Sequence, residues 1–410
     1  MTLSLNADSS NGTITMYKYN LSFLGVWPFQ KKGIRYTIHL GLILLTQVTL
    51  AIPEYIDLAL NIGDVDKTIE NLTCLVTVNM VIVKLIIMHI HRDSMVSCVN
   101  LVVADWDRIQ SAEARRTMKR HRSWSKTVFL AAMSLLYVSY AMYIVLAVTV
   151  TATSNCSGSN ANGSCKMLPM RANYLVNTDL SPLYEIVVVL QSVQGMITCT
   201  ANYGVDTFMF FLTMHVCGQL EILQINLRRF VSADAPRPNI LDARIFRKKI
   251  RSLSERHCEL VDFSLHIEET LNVIILGLLL FSSVLICLIG FRFILSVENG
   301  DLFGAGKYMS YLTAILGQLF LYCFAGDYLQ SQSLGLASAA YETHWYNLPP
   351  DIARDLLFAM IRAKNPLRIS AGKFFFMTLE SFKVILKTSA SYLSLLRVIV
   401  ERSAYKPKYF

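Results

Sequence analysis

The chain has 410 residues, of which 53% are hydrophobic and only 16% charged, with a mean hydropathy of +0.42. Soluble domains carry about 25% charged residues, so this chain lacks the charge to coat a soluble surface, and its hydrophobicity excludes disorder. Ten prolines and nineteen glycines exclude a collagen-like or low-complexity chain, and nine cysteines are too sparse for a disulfide scaffold. What remains is a polytopic protein of the lipid bilayer. Its net charge of +9 reads as loops facing an anionic cytoplasmic leaflet rather than as a nucleic-acid surface.

A spanning helix needs about 20 mostly apolar residues to cross ~30 Å of hydrocarbon, and seven stretches qualify. In chain order they run from Tyr36 to Ile52 (ending at Pro53), Ile69 to Ile90, Val128 to Val150, Leu183 to Met214, Leu271 to Leu295, Tyr308 to Leu329 and Gly372 to Val400. Met1 to Ser10 has no basic region followed by a long apolar run, so the first span reads as an uncleaved start signal. The expected organisation is a cytoplasmic segment 1–35 and six spans within 36–330, holding an extracellular loop 151–182 and a cytoplasmic connection 218–265. A cytoplasmic anchor region 331–370, a seventh helix 371–400 and an extracellular tail 401–410 follow.

Lys and Arg set the direction, because cytoplasmic flanks retain them. The N-terminal segment and the second-to-third, fourth-to-fifth and sixth-to-seventh connections hold twenty-five, against four in the alternate loops. The fold class is therefore an all-α membrane protein with its N-terminus inside and its C-terminus outside. The third-to-fourth loop carries the sequons at Asn155 and Asn162, which are glycosylated only on the lumenal face, and it also holds Cys156 and Cys165, a candidate short disulfide.

This polarity is the reverse of a G-protein-coupled receptor. His89 and His91 point to different helix faces, and neither HExxH, GxSxG nor a Gly-rich phosphate loop occurs. The reading is of a protein that is not an enzyme and that needs neither cofactor nor metal. The sequence also lacks the inverted repeat of many transporters.

Charged residues at membrane depth face protein or water. Asp206 and Asp327 fall near cytoplasmic span ends and read as solvated helix termini. The last span differs: Glu380, Lys383 and Lys387 share one helix face, with hydroxyls including Ser391 around them. Such a stripe is either a buried ion-pair row or the lining of a water-filled path, and in both cases the helix should be central. Beyond it Leu395, Val398 and Ile399 share a face, and an apolar ring closing a polar conduit is what a dewetting gate requires.

Between the sixth and seventh spans, Pro349-Pro350-Asp351 reads as a helix start, with Ile352, Leu356, Ala359 and Met360 as its apolar stripe and Asn365-Pro366 beyond its end. Residues 240–265 are charged yet periodic, so the fifth helix should extend below the membrane. In the extracellular halves, Leu75, Asn79 and Met80 of the second span, Tyr137, Tyr140 and Ile144 of the third, Ile186, Val189 and Val193 of the fourth, and Tyr308 and Tyr311 of the sixth either simply pack or line a mostly apolar small-molecule pocket.

The C-terminal ninety residues carry a resemblance. Ala340-Tyr341-Glu342-Thr343-His344-Trp345-Tyr346 with Leu348-Pro349 is similar to the cytoplasmic segment of insect odorant receptors. Pro366-Leu367, Ala371-Gly372-Lys373-Phe374 and Ile385-Leu386-Lys387-Thr388-Ser389 through Ser391-Tyr392-Leu393-Ser394-Leu395-Leu396-Arg397 resemble the approach to their last helix and the helix itself. The resemblance implies a ligand-gated, non-selective cation channel in the plasma membrane of sensory-neuron dendrites. It would be a heterotetramer of odour-specific subunits with the shared olfactory co-receptor, opened by a small volatile odorant. It further implies a pore lined by the last helix (Glu380, Lys383, Lys387, Ser391), a gate at Leu395, Val398 and Ile399, and a subunit anchor around Tyr341, Trp345 and Tyr346. The chain resembles the tuning subunit, since the co-receptor has a much longer insertion between the fourth and fifth spans. A gustatory receptor of the same superfamily is the alternative.

Overall fold

The computed structural model describes residues 11–30, 33–153, 168–176, 180–231 and 240–404. Asn155, Asn162, Cys156 and Cys165 lie outside these residues. The helices are α1 (Asn11–Phe23), α2 (Ile34–Leu60), α3 (Val65–Ile90), α4 (Arg92–Arg108), α5 (Ala112–Thr153), α6 (Leu183–Arg228), α7 (Ile240–Glu298), α8 (Leu302–Glu342), α9 (Pro350–Ala363) and α10 (Leu379–Ala404). A small antiparallel hairpin, β1 (Ser370–Ala371) and β2 (Phe375–Phe376), precedes α10. Among the described residues six helices, α2, α3, α5, α6, α7 and α8, are long and apolar enough to cross a membrane. The charges of α10 set it apart as the polar seventh.

Pro53 does not end the first span. It sits inside α2, which runs on to Leu60. Around this point the Gln194 amide of α6 donates to the Thr46 carbonyl (3.1 Å) and the Thr49 hydroxyl (2.9 Å), and the Pro53 carbonyl accepts from the Asn173 N–H (3.0 Å).

The central column is α6, which packs against α1, α2, α3, α5, α7 and α8 and is buried without interruption from Gly204 to Leu220. Helices in lipid gain little from hydrophobic association, so packing and hydrogen bonds between them carry more weight. Asp206 accordingly is no solvated helix end. Its carboxylate is fully buried 2.7 Å from the Lys84 ammonium of α3 and accepts from Gln318 (2.5 Å) and Tyr322 (2.5 Å) of α8. The same ammonium donates to the Asn202 side chain at 2.5 Å.

The N-terminal segment is a folded helix. In α1 the Tyr17 ring stacks on Phe211 (5.0 Å) and meets Phe129 edge-on (4.9 Å), and its hydroxyl donates to the Ser125 carbonyl. On the cytoplasmic side α4 lies beneath the bundle, where Asp105 is buried between His215 (2.9 Å) and Arg256 (2.6 Å), with Arg108 4.0 Å away. Burial works against the Asp105 charge, but the hydrogen bond and charge of His215 and then the Arg256 guanidinium hold its carboxyl below the ordinary carboxylate range. The long α7 continues below the membrane, as its periodicity predicts, and meets α9 there. Pro350 occupies the first position of α9, with Ile352 and Leu356 buried against the bundle.

The seventh helix starts later than its composition suggests. Gly372 (φ +62°) and Lys373 (φ +65°) adopt left-handed backbone to turn the β1–β2 hairpin, a conformation that costs glycine nothing. Ser370 ties the hairpin to Glu268 of α7 (2.5 Å), and the Met377 carbonyl presses against Gly326 of α8, where a Cβ would collide with it. Helix α10 therefore begins only at Leu379, its first turn capped by the Thr378 hydroxyl, which accepts from the Ser381 N–H (3.2 Å).

Two outcomes follow. Lys84→Met leaves Asp206 buried without its cation and should lower stability by about 3–5 kcal/mol, read as a fall in thermal midpoint in detergent, with Lys84→Met/Asp206→Asn recovering part of the loss. Because the folded Asp105 carboxyl is held low, its stabilisation is present above the unfolded value near ~3.9 and is lost as pH falls through the folded one. The midpoint difference between the native chain and Asp105→Asn should thus be full at pH 7 and shrink in more acid buffer.

Candidate functional site

The candidate residues fall in two groups: a polar and aromatic set in the extracellular halves of α2, α3, α5, α6 and α8, and the outward face of α10.

In the first, α5 contributes Tyr137, whose hydroxyl meets the Thr200 hydroxyl of α6 (3.0 Å), and Tyr140, which donates to the Ser192 carbonyl (3.1 Å) and packs on Gly195. Ile144, a turn above, is half-buried. Tyr143 bonds the Pro169 carbonyl and stands beside Tyr311 of α8. From α3, Leu75 is buried in a cluster with Leu50, Ala51 and Val78 under Met170, and Asn79 donates to the Tyr55 hydroxyl (2.7 Å). Met80 turns instead to Gly277 of α7, and Tyr308 packs with Leu285 and Ile289 of the same helix, its hydroxyl accepting from Arg292 (3.3 Å). The gathering is partial: Leu75 and Tyr140 both lie by Met170, Tyr311 stands with Tyr143, Tyr137 packs on the central core, and Met80 and Tyr308 turn toward α7.

Ile186, Val189 and Val193 are not part of this gathering. They are more than half exposed, on the outer side of α6, while Val187, Gln191, Gln194 and Thr198 of the opposite side are buried. In a bilayer the apolar face of a helix is content against lipid and the polar face must turn inward, so the sequence criterion of apolarity selects the wrong side of this helix.

Sequence reasoning missed the polar residues here. Gln191 clasps Met170 through both its amide atoms (3.0 Å each) and donates to the Tyr174 hydroxyl (3.1 Å), holding residues 168–176 over the site. Lys307 of α8 pairs with Glu70 of α3, and Arg171 with Asp57 of α2 (3.0 Å). Glu54 is buried on α2. A detectable signal existed: Gln191, Gln194 and Glu54 are polar residues within apolar spans.

The second group lies on α10, which packs against α7 and α8 at the edge of the single chain rather than at its centre. Ile385 and Ser389 face inward, and Phe382 meets Phe320 of α8 edge-on (5.6 Å). The opposite face, Glu380, Lys383, Lys387, Ser391, Leu395 and Val398, is exposed. The Ile399 side chain lies outside the described residues. Lys383 is 3.9 Å from Glu380, and Arg397 pins the extracellular end of α10 to Glu298 of α7 (3.0 Å). At the cytoplasmic end the Leu379 N–H donates to Asp327 of α8 (3.4 Å). Tyr341, Trp345 and Tyr346 are exposed on the cytoplasmic segment, as are Phe358 and Phe374.

Comparison with known proteins fits this architecture. The family model of the seven-helix odorant receptors matches residues 64–390. Odorant receptor 13a of Drosophila melanogaster is 30% identical over 227 residues, 53% of each chain, and odorant receptor 22c of the same fly is 27% identical over 224 residues, 53% of this chain and 54% of that one. The chain spans about half the length of these curated relatives in the matched stretch. The solved insect olfactory receptor OR5 from Machilis hrabei, in complex with eugenol, superposes with a TM-score of 0.81, covering 96% of this chain and 100% of that one at 16% identity, a likeness of fold. With its reversed polarity and polar last helix, the chain belongs to the insect odorant receptor family.

Proposed function

We propose that this chain is the odour-specific subunit of a ligand-gated, non-selective cation channel that works with olfactory co-receptor subunits in a heterotetramer, in the plasma membrane of sensory-neuron dendrites. The observation that carries the proposal is the outward polar face of α10. A Lys or Asp at the centre of a lipid-facing helix costs about 2.5–3.5 kcal/mol on insertion scales, so a row holding Glu380, Lys383 and Lys387 is poorly placed against hydrocarbon. Water enclosed by the α10 helices of several subunits is the environment that suits it.

Within such a pore the Glu380–Lys383 pair borders a wide cytoplasmic vestibule, where the two lysines exclude cations least, and Ser391 continues the polar wall. Leu395 and Val398, with Ile399 beside them, make the apolar constriction that gates by dewetting. The exposed aromatic residues Tyr341, Trp345 and Tyr346 supply contact surface to a neighbouring subunit of the same fold.

A small volatile enters the extracellular-half site among Leu75, Asn79, Tyr137, Tyr140 and Tyr311. The eugenol of the Machilis receptor is a compound of that kind. Helix α8 gives the site a physical route to the pore: Tyr311 borders the ligand site, Tyr322 binds Asp206, and Asp327 holds the first turn of α10.

Two measurements on the chain co-expressed with the co-receptor test this reading. Leu395→Gln or Val398→Gln should raise basal current or change ion selectivity, and unchanged conduction in both counts against the gate. Tyr137→Ala or Tyr311→Ala should shift ligand potency about tenfold, the equivalent of ~1.4 kcal/mol, with surface expression intact, whereas an unmoved dose–response curve reduces both residues to packing.

A further inference from the structure

Three carboxylates cluster at the extracellular ends of α2 and α3, and two of them have cations. Asp57 binds Arg171 and also accepts from the Asn71 amide (2.7 Å), and Glu70 binds Lys307. The third, Glu54, has 0% exposure and no hydrogen-bond partner for either carboxylate oxygen. An unpaired buried carboxylate is among the costliest groups a fold can hold.

Two more orphans belong to residues that bond α2 on either side of it, Asn71 at Asp57 and Gln194 at Thr46 and Thr49. Asn71 Oδ1 and Gln194 Oε1 are buried without partners. Their orientation is fixed by the network, because each amide nitrogen already faces oxygens: that of Asn71 the Asp57 carboxylate, that of Gln194 the Thr46 carbonyl and the Thr49 hydroxyl. With Glu54 ionised, all the unsatisfied side-chain atoms on the extracellular halves of these helices among the described residues are acceptors.

Glu54 also lies within electrostatic reach of Cys74 and Tyr174. Tyr174 belongs to the stretch over the site, fastened next to Glu54 by the Asn173 N–H on the Pro53 carbonyl. Alongside is the apolar cluster of Leu50, Ala51, Leu75 and Val78, with Met170 against it.

We infer that Glu54 is the head-group receptor of the ligand site, and that the ligand class is a small alkylamine. Its ammonium is held by Glu54 with Asn71 and Gln194, and its hydrocarbon tail lies against Leu75, Val78 and Met170. An ammonium offers three N–H donors and no acceptor, matching a surplus made of acceptors, and supplies the cation that Glu54 lacks. This inference rests on the extracellular-half ligand site proposed above and names what that site selects.

The test compares hexylamine with methyl pentyl ether, an isostere without a donor, on the full chain co-expressed with the co-receptor. Hexylamine should open the channel at a concentration at least tenfold lower than the ether. Glu54→Gln and Glu54→Leu should abolish that preference and leave the ether response in place, and Glu54→Leu should raise the thermal midpoint of the unliganded chain, since it removes a buried polar group without a partner. Hexylamine should also raise the midpoint of the native chain and not that of Glu54→Leu.

Equal potency of the two compounds, a preference that survives Glu54→Gln, or no midpoint shift with hexylamine (ordered water alone satisfying the acceptors) overturns the inference. A Glu54-dependent midpoint shift without any current upholds the amine site and sinks the channel reading. Ether-evoked currents without any Glu54-dependent midpoint shift by hexylamine do the reverse.

Discussion

The contact between Lys84 and Asp206 fixes where everything else in the bundle can go. Neither charge is tolerable in hydrocarbon alone, and each is fully buried, so α3 and α6 must meet at that height and in that rotation. Gln318 and Tyr322 then draw α8 onto the same carboxylate. Three helices are thereby registered at one point about midway along α6, in a medium where apolar side chains gain little by choosing one another over lipid. The cost of separating the pair makes the register a sharp one, whatever the net stability of the pair relative to an apolar replacement.

From that pin the proposed ligand site and the start of α10 lie in opposite directions along α8. Above it are Tyr311 and Lys307, at the proposed ligand site; below it are Gly326 and Asp327, which receive the Met377 carbonyl and the start of α10. A helix rotated or raised by a ligand above the pin has to move its lower end as well, because an α-helix is stiff along its axis. The contact between Phe320 and Phe382 gives α8 a second grip on α10. This is spatial continuity through named contacts, and the coupling it supports is a mechanical one.

The fold was largely readable because membrane topology rests on two coarse signals, span hydropathy and the placement of Lys and Arg, and both are strong here. The start of α9 was readable because Pro350 can occupy only a first helical turn or a break. What escaped shares a cause. Asp206 looked like a helix end because its partner, Lys84, lies 122 residues away, and pairing across that distance leaves no local pattern; a lone lysine inside Val81-Ile82-Val83-Lys84-Leu85 was the available sign. The face of α6 was chosen by apolarity, which in lipid marks the outside. The late start of α10 depends on a left-handed turn at Gly372 and Lys373, the second of which is a residue type that gives no hint of it.

The same inversion of inside and outside bears on α10. Taken alone, the chain displays its most polar span at its own edge, where a finished membrane protein would have lipid. For α6 the polar face found satisfaction within the chain, so its apolar face was left for the bilayer. For α10 the inner face is taken up by Phe382, Ile385 and Ser389, while Glu380 pairs with Lys383 on the exposed face and Arg397 reaches Glu298 of α7. A single copy is thus an incomplete solution to the bilayer's demand, and the proposed assembly, closing several such edges around one axis, would complete it. The proposed pore then needs no special construction: it would be the place where the polar faces left over from folding each subunit are hidden from lipid together.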